Sequence, residues 1–171
     1  MKNKNEKIKV IIKIRGLMTK PIPAGFHSAT PTLTVRGAGD AIEFYKKAFD
    51  AEEIIRFPGP DGKTIMHAEI KIGDSIIMLN DEFPQMNCLS PQSVGGPSSA
   101  IYLYVENSDS IFNKAVSAGA KVRMPMMNAF WGDRFGTLED PYGHIWTVAT
   151  RIIDLSPEEI KKAGTEASKS M

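Results

Sequence analysis

The chain has 171 residues, of which 42% are hydrophobic and 24% are charged. That length suits one domain, and that composition is typical of globular proteins rather than disordered or fibrous ones. Lysine and arginine number 21 against 20 aspartate and glutamate residues, so the formal net charge is +1. So small a charge creates no field that would gather nucleic acid or anionic lipid, and we expect neither as a partner.

Cysteine content and hydrophobic runs favour a cytoplasmic protein. Cys88 is the single cysteine, so no intramolecular disulfide forms and cysteine-rich zinc modules are excluded. We expect an unreactive loop or buried thiol. No run of about 18 apolar residues is present, so no membrane-spanning helix is expected.

Residues 1–20 are interpreted as a leader outside the domain. Their short apolar stretch is interrupted by Lys13 and Arg15, which is unlike a signal peptide. An interpretable pattern begins only after Met18. The leader is therefore either a disordered segment or the product of a misassigned upstream start.

The first module covers about residues 28–82. Residues 29–35 alternate apolar and hydroxyl side chains, which predicts a half-buried strand. Asp40 is expected to cap a helix over residues 40–49, whose apolar residues share one face. Three strand-like runs follow, at residues 52–57, 65–72 and 75–80, which gives the order β-α-β-β-β.

The second module, about residues 99–152, repeats this order after a loop over residues 83–99. A strand is predicted over residues 100–105 and a helix over residues 109–118, followed by three more strand-like runs. Two such copies complete each other's core, so we expect one domain over residues 21–155. Residues 156–171 form the C-terminal segment.

The C-terminal segment opens with a helix start signal. Ser156-Pro-Glu-Glu159 is a capping box with proline at the first helical position. It predicts a helix over residues 157–167 that packs on the outside of the domain.

Two motifs give the chain a resemblance to a known superfamily. AIEFYKKAF at residues 41–49 and GDRFGTLEDPYGHIW at residues 132–146 resemble the vicinal oxygen chelate superfamily, which includes glyoxalase I, extradiol dioxygenases and bleomycin-binding proteins. The stretches at residues 66–70 and 76–81 resemble its PhnB-like branch. The resemblance covers about residues 28–160. It implies an α+β fold in which two β-α-β-β-β modules form a curled, cup-shaped mixed sheet, with helices outside, the ligand inside, and a homodimer.

Strand alternation assigns one set of side chains to the helices and the other to the cup. Met66, Ala68, Ile70, Trp146 and Val148 are among those predicted to face the helices. The predicted lining is mostly polar: Thr30, Thr32, His67, Glu69, Asn80, Tyr102 and Thr147. An alternative is that these residues simply face water on a one-sided sheet.

The metal ligands that are usual in the superfamily are missing from this sequence. Aligned on the motifs, the four ligand positions fall at Thr30, Met78, Ala100 and Thr147, which cannot supply three or four nitrogen, carboxylate or thiolate donors. We therefore expect no metal and no cofactor. A displaced site would need His67 and Glu69 with a partner such as Asp81, and it stays open as an alternative.

Six residues are the candidates for ligand binding: His67, Glu69, Asn80, Tyr102, Trp131 and Arg134. His67 is also the candidate acid or base, because Glu69 lies two residues away on the same face, although a structural hydrogen bond is the alternative. Trp131 is predicted to stack on a planar ligand and Arg134 to pair with a carboxylate or phosphate.

Purely structural roles are the alternatives for two of these candidates. Trp131 would be a packed indole, and Arg134 would form an internal ion pair with Asp133 or Glu139. Of the other histidines, His27 is expected on the surface and His144 in a turn or packing role.

These observations lead to two hypotheses of function. In the first, the protein binds a small organic molecule without the usual metal. In the second, it is a lyase, isomerase or dioxygenase-like enzyme of the same superfamily that uses His67 as acid or base, or a displaced metal site.

Overall fold

The protein is built from two β-α-β-β-β modules, and the structure, a computed structural model, describes residues 20–169. Module one consists of β1 (Thr32–Val35), α1 (Ala38–Phe49), β2 (Glu52–Pro58), β3 (Ile65–Ile72) and β4 (Ser75–Asp81). A 3₁₀ turn (Pro84–Met86) and a one-turn helix, α2 (Pro91–Val94), lie between the modules. Module two consists of β5 (Ala100–Tyr104), α3 (Ser108–Ala118), β6 (Lys121–Asn128), β7 (Asp133–Glu139) and β8 (Ile145–Arg151), and α4 (Pro157–Ala167) follows it.

Each module contributes one four-stranded mixed sheet. The strand orders are β1-β4-β3-β2 and β5-β8-β7-β6. In both sheets the first strand runs parallel to the last strand of its module, and the other neighbours are antiparallel. Within residues 20–169 the helices lie outside the sheets and no barrel closes, which confirms the α+β fold and its two modules. The mixed sheet is divided into two hydrogen-bonded halves.

Strand alternation places the predicted faces correctly, with one exception. Ala68, Ile70, Trp146 and Val148 are fully buried in the core, as predicted. Met66 was predicted to face the helices, but its side chain is 54% exposed and Ile65 is buried instead. The cause is a register shift between β2 and β3, where Phe57 opposes His67 but Pro58 opposes Ile65.

The start of α1 also differs from the prediction. The helix begins at Ala38, and Asp40 lies in its first turn rather than at the cap. Oδ1 of Asp81, at the end of β4, accepts hydrogen bonds of 2.8 Å from the backbone N–H groups of Gly37 and Ala38. A carboxylate from a neighbouring strand therefore satisfies the free N–H groups that a local cap would otherwise serve.

Strand β1 is shorter than predicted because of Pro31. Proline has no backbone N–H, so the regular ladder begins only at Thr32, although the Pro31 carbonyl still accepts from Met78 N. The C-terminal helix is confirmed. Helix α4 runs from Pro157 to Ala167, and both hydrogen bonds of its capping box form between Ser156 and Glu159.

The two motifs that carry the resemblance meet in the core between the modules. Asp140 accepts hydrogen bonds from Tyr45 Oη at 2.8 Å and from Trp146 Nε1 at 2.9 Å. The rings of Tyr45 and Phe49 pack against the Trp146 indole, with centroids 5.4 Å and 4.5 Å away. Helix α1 of module one is thereby tied to the turn and last strand of module two.

The loop between the modules is more structured than the sequence predicted. Glu82 accepts hydrogen bonds of 2.7 Å from Ser90 N and Ser90 Oγ, and its carboxylate also contacts Ser93. Arg36 adds an ion pair to the same carboxylate. These bonds lower the pKa of Glu82 to about 2 and hold α2 beside β1. Across residues 20–169, no helix is long and apolar enough to span a membrane.

Candidate functional site

The face of each sheet that points away from the helices, here called the inner face, carries the candidate site. The inner face of module one includes Thr32, Thr34, His67, Glu69, Met78 and Asn80, which neighbour one another in the ladders of β1, β4 and β3. The inner face of module two includes Tyr102, Tyr104, Asp133, Phe135, Thr137 and Thr147. The predicted lining residues on β1, β3, β4, β5 and β8 all lie on these two faces.

His67 and Glu69 form a pair on module one. Their Nε2 and Oε1 atoms lie 3.2 Å apart, and both side chains retain solvent contact. The ring of Phe57, on the neighbouring strand β2, lies 6.2 Å from the imidazole. An imidazole oriented by a carboxylate and still exposed is able to bind a ligand or to exchange a proton with one.

Asn80 belongs to a second cluster on module one, together with Cys88. Asn80 Nδ2 lies 3.2 Å from Cys88 Sγ, and Thr34 Oγ1 lies 3.2 Å from the same sulfur. Asn80 also donates to the backbone oxygen of Asp81 at 2.8 Å. The thiol is half-buried in the loop, and the amide of Asn80 is held in place by these local bonds.

Module two is organised by Asp133, whose side chain is fully buried at the start of β7. Its Oδ2 accepts hydrogen bonds from Tyr102 Oη at 3.2 Å, Tyr104 Oη at 2.8 Å and Trp131 Nε1 at 3.0 Å. Its Oδ1 accepts from Arg151 Nε at 2.8 Å. One carboxylate therefore gathers three aromatic side chains and a guanidinium, named here the Asp133 cluster.

The ionisation of the Asp133 cluster follows from these bonds. Burial raises the pKa of the carboxyl, but hydrogen bonds from Tyr104, Arg151, Trp131 and Tyr102 outweigh that effect and lower the pKa overall. Burial, together with the charge of Asp133, raises the pKa of Tyr102 to about 12. The carboxylate is therefore charged and this phenol neutral at physiological pH.

Arg134 does not join the other candidates. It points to the helix side of β7, where its Nε and Nη2 atoms bind the carboxylate of Asp109 in α3 at 2.5 Å and 2.6 Å. Its Nη1 also donates to Asn128. The ion pair offered as the alternative does exist, but its partner is Asp109 rather than Asp133 or Glu139. Arg151 supplies the cation on the inner face instead.

The other histidines and the second tryptophan lie as predicted. His27 is exposed, and Trp146 is fully buried on the helix side. His144 is half-buried, and its Nε2 lies 3.1 Å from the backbone oxygen of Thr34, which joins the two modules. None of these three side chains belongs to the inner-face clusters.

The donors at the four ligand positions of the superfamily do not fit a divalent cation. Thr30 Oγ1 donates to the His27 carbonyl, and Thr147 Oγ1 lies 3.2 Å from Thr137 Oγ1. Met78 offers only a thioether and Ala100 no donor at all. Among residues 20–169, no three His, Cys, Asp or Glu side chains group as metal ligands would.

The displaced metal site proposed as an alternative does not assemble around Asp81. Its carboxylate lies on the helix side, where Oδ1 caps α1 and Oδ2 accepts from Ile65 N at 2.7 Å. Asp81 follows Asn80 in β4, and successive side chains of a strand point to opposite faces. His67 and Glu69 are thus left without this third ligand.

A cavity lies at the edge of the inner face rather than over it. Its volume is about 1030 Å³, and it opens between the β3–β4 hairpin and the first half of α3. Lys71, Lys114 and Glu106 line it, and Tyr104 and Arg151 of the Asp133 cluster reach its border. The chemistry of the polar clusters, more than this open groove, identifies the candidate site.

Sequence reasoning missed three members of the site: Tyr104, Asp133 and Arg151. Alternation predicts Tyr104 on the same strand face as Tyr102, but only Tyr102 was chosen as a candidate. Asp133 directly precedes Arg134 in the sequence. Only the register of β7 against β8 shows which of the two side chains points to the inner face. Arg151 follows from the same register, because it opposes Asp133.

Comparison with known proteins identifies relatives and a shared fold. An uncharacterized protein of Mycobacterium tuberculosis H37Rv is 43% identical over 137 residues, which cover 78% of this chain and 80% of that protein. An uncharacterized protein of Mycobacterium bovis is also 43% identical over 137 residues, covering 90% of its length.

Solved structures with lower identity share the fold. TioX from Micromonospora sp. ML1 has a TM-score of 0.56 at 22% identity, covering 76% of this chain and all of that one. A Bacillus cereus PhnB protein, described as a putative 3-demethylubiquinone-9 3-methyltransferase, has a TM-score of 0.56 at 22% identity, covering 72% of this chain and 99% of that one. The fosfomycin resistance protein FosX from Mesorhizobium loti has a TM-score of 0.53 at 15% identity, covering 72% and 91%.

A sequence profile settles the family. The profile described as Glyoxalase/Bleomycin resistance protein/Dioxygenase superfamily matches residues 26–148, which span both modules from before β1 into β8. With two β-α-β-β-β modules and both family motifs joined at Asp140, this chain belongs to the glyoxalase/bleomycin resistance protein/dioxygenase superfamily.

Proposed function

We propose that this protein, as a PhnB-like member of the superfamily, binds a small organic molecule on the inner faces of its two sheets without a resident metal or cofactor. The observation that carries the proposal is the exposure of Tyr102 and Tyr104, whose residues are 45% and 57% accessible although a buried carboxylate fixes their hydroxyl groups. Rigid, exposed aromatic side chains are a common feature of ligand-binding surfaces.

The donor set supports the metal-free part of the proposal. Thr30, Met78, Ala100 and Thr147 offer too few strong donors to offset the dehydration of a divalent ion. We expect purified protein to contain far less than one equivalent of zinc, nickel, manganese or iron per chain. Elemental analysis checks this, and a stoichiometric metal that is lost in the His67→Ala variant would contradict it.

The most direct test of binding is a search for molecules that accompany the protein. Protein purified under native conditions is denatured, and the released molecules of low mass are identified by mass spectrometry against a mock purification. We expect at least one enriched compound that rebinds to the purified chain. If no compound is enriched and none from a cell extract binds, the proposal fails.

A second candidate function is favoured by the contact between His67 and Glu69. The 3.2 Å approach of a carboxylate to an exposed imidazole is the geometry of an oriented general acid or base. In a lyase or isomerase of this kind, His67 would move a proton to or from the bound molecule. No metal is needed for that step.

Replacement of His67 separates the two candidates. In a binding protein, His67→Ala should weaken affinity by about 1–3 kcal/mol if the imidazole hydrogen-bonds the ligand. In an enzyme, the same change should lower turnover by about 10²–10⁴-fold with a smaller effect on binding. His27→Ala, which removes an exposed histidine, is the control. A variant that changes only thermal stability would assign His67 a structural role.

The proposed assembly is a homodimer in the cytoplasm. Strands β2 and β6 present exposed apolar side chains, including Ile55 and Phe57 in module one and Met124 and Met127 in module two. A neighbouring subunit would cover this apolar surface, and symmetric pairing is the usual way to do so. The single cysteine is in keeping with a reducing compartment.

A further inference from the structure

The three aromatic side chains of the Asp133 cluster already use their hydrogen-bond donors within the protein. Tyr102 Oη, Tyr104 Oη and Trp131 Nε1 each donate their single proton to Asp133 Oδ2. A phenol has one proton to donate and an indole N–H is a donor only. A ligand on this surface therefore meets phenol oxygens that accept hydrogen bonds and aromatic ring faces, and it meets no free phenol or indole donor from these three side chains.

The rings of Tyr102 and Tyr104 remain exposed, and the ring of Trp131 is half-buried. The centroids of Tyr102 and Tyr104 lie 5.1 Å apart, with ring planes at 45°. Trp131 packs at 5.1 Å from the buried Phe135, which supports the indole from behind. Each ring is thus fixed at both ends: at its backbone by a strand or turn, and at its polar tip by Asp133.

We propose that Asp133 is a positioning residue that holds Tyr102, Tyr104 and Trp131 as a stacking surface for a planar aromatic ligand without negative charge. This inference rests on the proposed function and names the class of ligand for it. Loss of the carboxylate would release three side chains at once. The rings would then sample other rotamers, and the surface would lose its order before a ligand arrives.

The charges within the Asp133 cluster favour a ligand without negative charge. Arg151 is the cation of this surface, and its charge is already paired with Asp133 at 2.8 Å and with Asp154 at 3.7 Å. Ring faces carry partial negative charge, and the phenol oxygens act as acceptors. A neutral or cationic aromatic compound suits such a surface better than a carboxylate does.

Four probes of similar size test the class directly on the full chain. They are 2-naphthol, its saturated analogue decahydro-2-naphthol, 2-naphthoate and 2-naphthylmethylammonium. We expect titration calorimetry and NMR to show about tenfold tighter binding of 2-naphthol than of the saturated analogue. The ammonium compound should bind at least as well as 2-naphthol, and 2-naphthoate more weakly than both. Equal binding of planar and saturated probes, or tightest binding of 2-naphthoate, would overturn the inference.

Two variants connect this preference to Asp133. Asp133→Asn and the double variant Tyr102→Phe/Tyr104→Phe should both reduce the planar preference to about twofold or less, and the second keeps the buried carboxylate if the first fails to fold. Tyr45→Phe is the matched control, because it also removes a phenol that donates to a buried aspartate, but between the modules. It should lower stability and keep the tenfold preference.

The outcomes separate this inference from the proposed function. If both variants keep the tenfold preference for 2-naphthol over its saturated analogue, Asp133 does not position the site, while small-molecule binding stands. If none of the four probes binds, the ligand class is wrong. If in addition no compound accompanies the purified protein, the proposed function fails as well.

Discussion

Asp140 and Asp133 are both buried, and each accepts hydrogen bonds from aromatic side chains, but they serve different parts of the molecule. Asp140 lies between the modules and binds Tyr45 and Trp146. Asp133 lies on the inner face and binds the exposed tyrosines. The first therefore stabilises the fold, and the second orders a surface.

Removal of the Tyr45 hydroxyl group tests the structural role of Asp140. Tyr45→Phe should lower the free energy of unfolding by about 1–3 kcal/mol, because it deletes a 2.8 Å hydrogen bond to a buried carboxylate. Urea denaturation of both proteins measures the difference. Tyr142→Phe, at a half-buried tyrosine of the same interface, should cost less. Equal losses in the two variants would contradict the assignment.

Individual side chains were the least predictable part of the site. The sequence indicated His67, Glu69 and Tyr102 correctly as inner-face residues, because each alternates with apolar neighbours that the core requires. Arg134 was misplaced because both it and Asp133 are polar, so hydrophobicity could not tell which faced inward. Burial of an aspartate under two tyrosines and a tryptophan depends on contacts between distant segments, which periodicity does not encode.

Among the elements, strands and helices were predictable and their ends were not. Helix α1 was expected to start at Asp40, yet Asp81 from β4 caps it from a strand about 40 residues away in sequence. The burial of Ile65 in place of Met66 arises from a register shift that pairing with β2 creates. Both differences come from tertiary contacts that override a local pattern.

The segment between the modules depends on the ionisation of Glu82. Its folded pKa of about 2 lies below the ordinary value of 4.5, since Ser93 and Ser90 bind the carboxylate and Arg36 pairs with it. A depressed pKa contributes stability at pH values above about 4.5, and that contribution is lost as the pH falls toward 2.

Glu82→Gln should therefore lower the melting temperature at neutral pH and weaken its dependence on pH between about 4.5 and 2. The curves of variant and wild type should converge at the acidic end, where the wild-type carboxyl becomes protonated. Thermal melts recorded from pH 2 to 7 measure this. Glu106→Gln, at an exposed glutamate, is the control. Parallel curves for Glu82→Gln and wild type would contradict the prediction.

At the scale of the whole molecule, the duplicated pattern was sufficient to predict two modules and their order of elements. It could not predict that the sheets remain two separate hydrogen-bonded units, because no pattern in β1 or β5 specifies an edge partner. The sequence also gave no sign that the two family motifs would meet at the contact between the modules. Their physical link is the hydrogen bond from Tyr45 to Asp140.

Self-association is the first prediction for the whole molecule. Light scattering at micromolar concentration should give about twice the 18.8 kDa of one chain. Phe57→Glu or Met127→Glu should shift the mass toward the monomer, because each places a charge in the exposed apolar surface of β2 or β6. Met86→Glu, at an exposed loop position, should leave the dimer intact. A wild-type mass near 18.8 kDa would contradict the proposal.

The two tryptophans offer the most direct test that a small molecule binds to the inner face. Trp131 belongs to the Asp133 cluster, whereas Trp146 is fully buried on the helix side. Protein labelled with 5-fluorotryptophan should give two ¹⁹F NMR resonances, assigned with Trp131→Phe. On addition of a cell extract of molecules below about 1 kDa, or of 2-naphthol, we predict that the Trp131 resonance shifts in a saturable way while the Trp146 resonance stays in place. A shift of Trp146 alone, or no shift of either resonance, would contradict binding at the inner face.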